Sequence, residues 1–300
     1  MESPKSLLQA IAAGDKRALA RAITSVENEL PGADELLENL NFEKQTPIIG
    51  ITGPPGAGKS TLINALIAHL LNQNFKIGIL AIDPTSPFNH GSLLGDRVRM
   101  SAHFLNDQVF IRSLATRGSL GGLSAKAIEI TEVMKAAAFD FILVETVGVG
   151  QSEVEIVGLA DCTVLVLVPE AGDDVQSLKS GVMEIADIFV VNKADRPGAG
   201  LFLKNLNDVS HNGHSHNQAP SIVKTIATNN EGVEGLFEAI KKHLELNHNK
   251  NKSWLLTEKA FQLIQSQRMR DIDKVELKKL IESKMLQKGF NLYQFVRAFI

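Results

Sequence analysis

Residues Gly53–Thr61 read GPPGAGKST and lie directly after the apolar run PIIGIT. The spacing is G-x-x-x-x-G-K-S, and the helical pattern TLINALIAHLL follows it. Gly53, Gly56 and Gly58, in a loop completed by Pro54, Pro55 and Ala57, allow main-chain N–H groups to turn inward and approach phosphate oxygens closely. The helix N-terminus that follows adds partial positive charge. Lys59 brings a full charge to the β- and γ-phosphates, Ser60 offers a hydroxyl to Mg²⁺, and Thr61 can reach the α-phosphate. These residue types at this spacing fit a nucleoside triphosphate. The base is read from Asn192-Lys193-Ala194-Asp195, which follows the apolar run DIFVV. The Asp195 carboxylate can accept from both the ring N1–H and the exocyclic amine of guanine. Adenine, with an acceptor at N1, would repel it, so GTP is expected rather than ATP.

A magnesium ion needs oxygen ligands and normally keeps several waters. Beside Ser60, three carboxylates are candidates: Asp83 at the end of KIGILAID, Asp96 in GSLLGDRVRM, and Glu145 at the end of FILVE. Glu145-Thr146-Val147-Gly148 stands where many GTPases carry D-x-x-G, and Gly148 would give its N–H to the γ-phosphate. Gln151, three residues further on, is the candidate for placing the attacking water. The catalytic expectation therefore rests on Lys59, Glu145 and Gln151.

These residues need a scaffold that brings strand ends together. PIIGIT, KIGILAID, FDFILVET, CTVLVLVP and DIFVVNKAD read as buried strands, separated by helical patterns such as STLINALIAHLLNQ and SAKAIEITEVMKAAA. Apolar runs without polar alternation need both faces covered, which implies a mostly parallel sheet between helices, an α/β doubly wound domain. A carboxylate at the carboxyl edge of such a sheet sits where ligands bind. Before the domain, residues 3–40 read as helical. Pro4 opens one helix, and Asp15 caps a second that runs through KRALARAITSVENEL to Pro31-Gly32. From Ser253 the chain again reads as helical, with Val275, Leu277, Leu280, Ile281 and Leu286 as an apolar stripe and Gly289 as its stop. The division expected is an N-terminal helical arm over 1–45, a nucleotide-binding domain over 46–248 and a C-terminal helical extension over 249–300.

Composition excludes some classes. The chain has 300 residues, 44% hydrophobic and 22% charged, with a formal charge of −3, which gives no global pull toward nucleic acid or an anionic membrane. One cysteine, Cys162, rules out an internal disulfide framework, and its place in CTVLVLV reads as a buried, inert thiol. No apolar run reaches the length of a membrane-spanning helix, and the first residues do not read as a secretory or mitochondrial leader. A cytoplasmic protein is expected. Residues 198–220 read as a short helix-like piece and then a polar loop rich in Asn, Gly and Ser, whose His211, His214 and His216 read as solvated rather than as a metal site.

In order, GPPGAGKST, AIDPTSP, GSLLGDRVRM, FILVETVGVGQSE, GDDVQSLKSG and NKAD resemble the GTPases associated with methylmalonyl-CoA mutase, the MeaB/ArgK group. ETVGVGQSE is the most specific stretch, and the likeness runs from about Leu7 to the C-terminus. The resemblance implies a P-loop GTPase domain flanked by helical extensions, with homodimerisation through the C-terminal one. It implies slow intrinsic GTP hydrolysis and an accessory role toward a cobalamin-dependent acyl-CoA mutase: gating adenosylcobalamin delivery, and protecting or reactivating the enzyme. It assigns Ile226, Ala227 and Thr228 to a main-chain contact with the base, and Asp173, Gln176 and Lys179 to a segment that reports nucleotide state to the mutase. The chain departs from the family pattern at Thr85 and at His90-Gly91, where Ser and a Gly pair are usual, and at Ile226, where Ser is usual. Two other readings share the phosphate loop. A metallochaperone GTPase for a nickel enzyme usually carries a defined Cys/His metal site, and none is visible in the sequence. A P-loop small-molecule kinase would not need N-K-x-D.

Overall fold

The computed structural model describes residues 3–42, 44–83, 100–115, 126–146, 152–172, 186–213, 220–246, 252–269, 272–285 and 289–299. The described chain divides into two compact units, 1–252 and 253–300.

The first unit is built on one sheet of seven strands: β1 (Ile48–Thr52), β2 (Ile77–Asp83), β3 (Val109–Ala115), β4 (Phe141–Glu145), β5 (Cys162–Leu167), β6 (Ile188–Val191) and β7 (Ser221–Lys224). Their order is β3-β2-β4-β1-β5-β6-β7, and every pairing is parallel. The strands expected from the apolar runs are all present. The two outermost, β3 and β7, were not expected. VFIRSLA is interrupted by polar residues and SIVK is short, and an edge strand tolerates this because it has a neighbour on one side only.

Among the described residues, six helices belong to the body of this unit or its arm in front of β5: α1 (Pro4–Ala12), α2 (Lys16–Glu27), α3 (Ala33–Glu38), α4 (Lys59–Asn72), α5 (Ala127–Lys135) and α6 (Ser152–Leu159). Two more follow, α7 (Ala199–Gly213) and α8 (Val233–Leu246). Successive strand residues point to opposite faces, so a run with no polar residue feeds two cores. Ile49, Ile51, Val164, Val166, Ile188 and Val190 pack with Leu62, Leu66, Phe237 and Ile240 of α4 and α8. Leu165, Leu167, Phe189 and Val191 pack on the other face with Phe202, Leu203 and Leu206 of α7. The same three side chains carry α7 through to Gly213, across the stretch that reads as a polar loop. His211 therefore lies on a helix, because a helix needs only one apolar stripe to hold it. His214 and His216 lie outside the described residues.

The arm begins as expected. Pro4 opens α1, and Asp15 Oδ1 accepts from the Arg17 and Ala18 N–H groups at 2.7 and 3.1 Å, capping α2. Those two amides hold the Asp15 carboxyl below its usual range, Ala18 most strongly. The second helix is shorter than the sequence suggests. It ends at Glu27, Glu29 turns to a positive φ of 51°, and Gly32 (φ 91°) heads α3 instead of closing α2. Leu19, Ile23, Val26 and Leu36 bury the arm's apolar side. Arg112 of β3 pairs with Glu27, and Lys16 Nζ donates to the Asn106 carbonyl at 2.8 Å, so the arm is tied to the β3 side of the sheet.

The second unit carries α9 (Lys252–Arg268) from its second residue on, α10 (Lys274–Met285) and α11 (Leu292–Val296). Among the residues of this unit whose burial is described, none is buried. Of the expected stripe, Val275 and Leu280 are exposed, Leu277 and Ile281 are half-buried, and Leu286 lies outside the described residues. Among the described residues no helix is long and apolar enough to cross a membrane.

Candidate nucleotide site

Because all pairings are parallel, the carboxyl ends of the strands share one edge. The chain leaves β1 past β4 to reach β2, and leaves β4 past β1 to reach β5, so these two neighbouring strands send it in opposite directions and a crevice opens at their carboxyl ends. The loop Gly53–Gly58 emerges there. Gly53 takes φ 139°, and a Cβ on it would lie 2.2 Å from the Val166 carbonyl oxygen. Gly58 takes φ 88°, and a Cβ would lie 2.5 Å from Asn192 Nδ2. Both positions require glycine, since each combines left-handed backbone with a wall that leaves no room for a side chain.

Gly58 precedes α4 without any side-chain cap, so the first amides of α4 are directed to the loop. Lys59 is buried, and its Nζ donates to the carbonyl oxygens of Gly53 at 2.8 Å and Pro54 at 3.2 Å, arching over the loop. Ser60 Oγ donates to Glu145 Oε1 at 2.7 Å across the β1–β4 boundary, and both side chains are buried. This pairing joins the phosphate loop to the end of β4, where the acidic member of the middle motif was expected. Two hard oxygen donors held together at this edge fit a small divalent ion that completes its shell with water. Behind them Thr146 Oγ1 donates to Thr52 Oγ1 at 2.9 Å, a buried hydroxyl pair that locks the exits of β4 and β1. Asp83 ends β2 at the same edge, two positions beyond Ala81, which is in register with Glu145.

The end of β6 supplies the other half. Asn192 is buried and makes three bonds. Its Nδ2 donates to the Ala57 carbonyl at 2.9 Å, and its Oδ1 accepts from Thr225 Oγ1 at 3.1 Å and Ala227 N–H at 3.2 Å. Lys193 has a positive φ of 56°, and its Nζ donates to the Gly56 carbonyl at 2.8 Å. Asp195 is exposed at the lip, and its neighbour Arg196 is paired with Glu170 beyond β5. That guanidinium holds the Glu170 carboxyl below its usual range. The segment after β7 closes the edge: the Ile226 N–H donates to the Glu231 carbonyl at 3.1 Å, Ala227 is buried, and Thr228 is exposed. Of the main-chain groups expected to meet a base, the Ile226 and Ala227 amides thus have partners within the chain. Thr225 was not singled out from the sequence. The signal was available, because a threonine two residues before an Ala at the end of a strand can reach the Asn of N-K-x-D, but only once β7 is known to lie beside β6.

Gly53 to Thr61, Asp83, Glu145, Asn192, Lys193, Asp195 and Ile226 to Thr228 therefore converge on one edge. Asp96, Gly148, Gln151, Asp173, Gln176 and Lys179 lie outside the described residues.

A phosphate loop on a β1–α4 junction, with an Asn-Lys-x-Asp corner fastened to it, defines a P-loop nucleotide-binding protein. Residues 19–291 match the family model of the methylmalonyl-CoA mutase-associated GTPase MeaB. A protein of Pyrococcus abyssi named as a GTPase is 50% identical over 244 residues, covering 80% of this chain and 75% of that one. A second, from Pyrococcus horikoshii, is 48% identical over 248 residues, covering 81% and 78%. The crystal structure of an LAO/AO transport system kinase superposes with a TM-score of 0.69, covering 98% of this chain and 95% of that one, at 22% identity, a likeness of fold. The chain belongs to the MeaB family of P-loop GTPases.

Proposed function

We propose that this GTPase serves as an accessory protein of a cobalamin-dependent acyl-CoA mutase, gating adenosylcobalamin delivery and protecting or reactivating that enzyme. The observation that carries the nucleotide part is the fastening of Asn192 and Lys193 to the Ala57 and Gly56 carbonyls, which gives one pocket a guanine end and a phosphate end. The mutase part is supported by membership of a family described as mutase-associated. On entry of GTP, Lys59 Nζ exchanges the Gly53 and Pro54 carbonyls for β- and γ-phosphate oxygens. Asp195 accepts from the guanine edge. Ser60, Asp83, Asp96 and Glu145 would hold Mg²⁺. When bound, that ion supplies charge neutralisation between the β- and γ-phosphates.

Gly148 and Gln151 complete the γ-phosphate end, with Gln151 ordering the attacking water once the partner docks. Asp173, Gln176 and Lys179 carry the nucleotide state to the mutase. An added cationic group at the γ-phosphate is worth ~10³–10⁵ in rate, so slow basal turnover and partner acceleration belong together. The unit 253–300 pairs with a second copy, a role supported by exposed Leu256, Phe261, Ile264 and Met285. A cytoplasmic setting is part of the same proposal.

Phosphate release is to be measured with GTP and with ATP, each with and without a cobalamin-dependent acyl-CoA mutase. GTP turnover that rises with the mutase supports the proposal. Equal GTP rates with and without it refute the partnership, and preferential ATP turnover refutes the base assignment.

A further inference from the structure

At the opposite, amino-terminal edge of the sheet, three side chains far apart in sequence meet. Cys162 opens β5, Asp187 immediately precedes β6, and His243 lies in the last turn of α8. One donor atom from each, a sulfur, a carboxylate oxygen and a ring nitrogen, lies within 4.8 Å of the other two. His243 Nε2 stands 3.5 Å from Asp187 Oδ1. Asp187 Oδ2 accepts from the Thr163 N–H at 2.7 Å, which fixes the carboxylate plane and sets Oδ1 toward the histidine. Among the described residues this is the one place where three metal-type donors come together.

We propose that Cys162, Asp187 and His243 form a zinc site that fastens α8 to the sheet, separate from the nucleotide edge. A soft thiolate, an imidazole and one carboxylate are a donor set suited to Zn²⁺ and poorly suited to Mg²⁺. Thiolate and carboxylate together balance the charge of a divalent ion, while the imidazole stays neutral. Bonds of about 2.0–2.3 Å in a tetrahedral shell put neighbouring donors about 3.3–3.8 Å apart. The His243–Asp187 separation already fits, and the widest gap closes by about 1 Å on turning either of these half-exposed side chains. The fourth position faces the partly open Asp187 side, where water completes the shell. The Thr163 amide supplies the outer hydrogen bond by which such sites orient a carboxylate. Burial raises the Cys162 thiol well above its usual range, and the carboxylates of Asp187 and Asp161 add to this. An ordinary Asp187–His243 ion pair would account for two of the residues but gives the sulfur no role.

The test uses the full chain, purified without a histidine tag, stripped with chelator and kept reduced. Titration with Co²⁺ is expected to give one tight equivalent with a thiolate-to-cobalt charge-transfer absorption, displaced by Zn²⁺. Zn²⁺ alone is expected to raise the thermal midpoint. C162S and H243Q should each abolish the absorption and weaken Zn²⁺ binding by about tenfold or more. GTP hydrolysis of H243Q should match the parent chain. No thiolate absorption in the parent chain overturns the proposal, as does an absorption that persists in H243Q. If C162S does not fold, H243Q alone decides. Metal binding that survives in C162S but is lost when His211, His214 and His216 are replaced by alanine assigns the ion to that segment and also overturns the proposal.

Discussion

Replacing Asn192 with alanine should loosen the fold and the nucleotide edge together. Asn192 is 2% exposed, and its amide group makes bonds of 2.9, 3.1 and 3.2 Å to Ala57, Thr225 and Ala227. A net contribution of about 1 kcal/mol per bond puts the loss near 3 kcal/mol, since the abandoned carbonyl, hydroxyl and amide stay buried. For a unit of this size that corresponds to a fall of about 6–12 °C in Tm. T225V deletes only the 3.1 Å bond and should cost about 1 kcal/mol. Because the two changes remove one shared bond, the double variant should fall short of their sum by about 0.5–1 kcal/mol. The assay is calorimetric melting of the four proteins without nucleotide, followed by titration with GDP, for which N192A should bind most weakly. A Tm within about 2 °C of the parent for N192A, or strict additivity with T225V, would refute the view that Asn192 ties loop to base segment.

Other outcomes follow from the same geometry. G53A places a Cβ 2.2 Å from the Val166 carbonyl, so GDP binding measured by calorimetry should be lost even where the protein still folds. S60A removes the hydroxyl bonded to Glu145, and the Mg²⁺ concentration needed for half-maximal GTP hydrolysis should rise about 10–100-fold, read from phosphate release against Mg²⁺. At Asp140, burial pushes the carboxyl up, but the Lys44 ammonium at 2.5 Å and the Lys76 N–H at 2.7 Å outweigh it and hold the carboxyl below 3.8. Its stabilisation is thus present above pH 3.8 and lost as pH falls through the lower folded value. D140N should melt below the parent at pH 7, and the gap should close under acid, as followed by circular dichroism across pH.

What could be read in advance depended on how far apart the cooperating residues stand in the chain. GPPGAGKST and NKAD are local patterns, and each needs only its flanking strand and helix to be recognised. The inner strands were legible because burial on both faces strips them of polar residues. The edges were not. Arg112 and Ser113 interrupt β3, and SIVK is too short to carry a period. Thr225 stands 33 residues from Asn192, so their bond exists only through the β6–β7 pairing. His211 was misplaced because the helix anchored by Phe202, Leu203 and Leu206 runs on to Gly213, through residues too polar to announce it. Cys162 is buried and free, as its apolar run implies, but the approach of Asp187 and His243 was not legible, because they arrive by way of two other elements and no motif spacing announces them.

The two side-chain tethers from the β6 corner to the loop, Asn192 to Ala57 and Lys193 to Gly56, leave the pocket without independent doors. The base end and the charged tail of a guest rest on parts joined through the same four residues, so a disturbance of one is passed to the other. Anything that hastens turnover of spent nucleotide therefore has one natural lever, the short corner between β6 and α7, and a push there unlatches both ends at once.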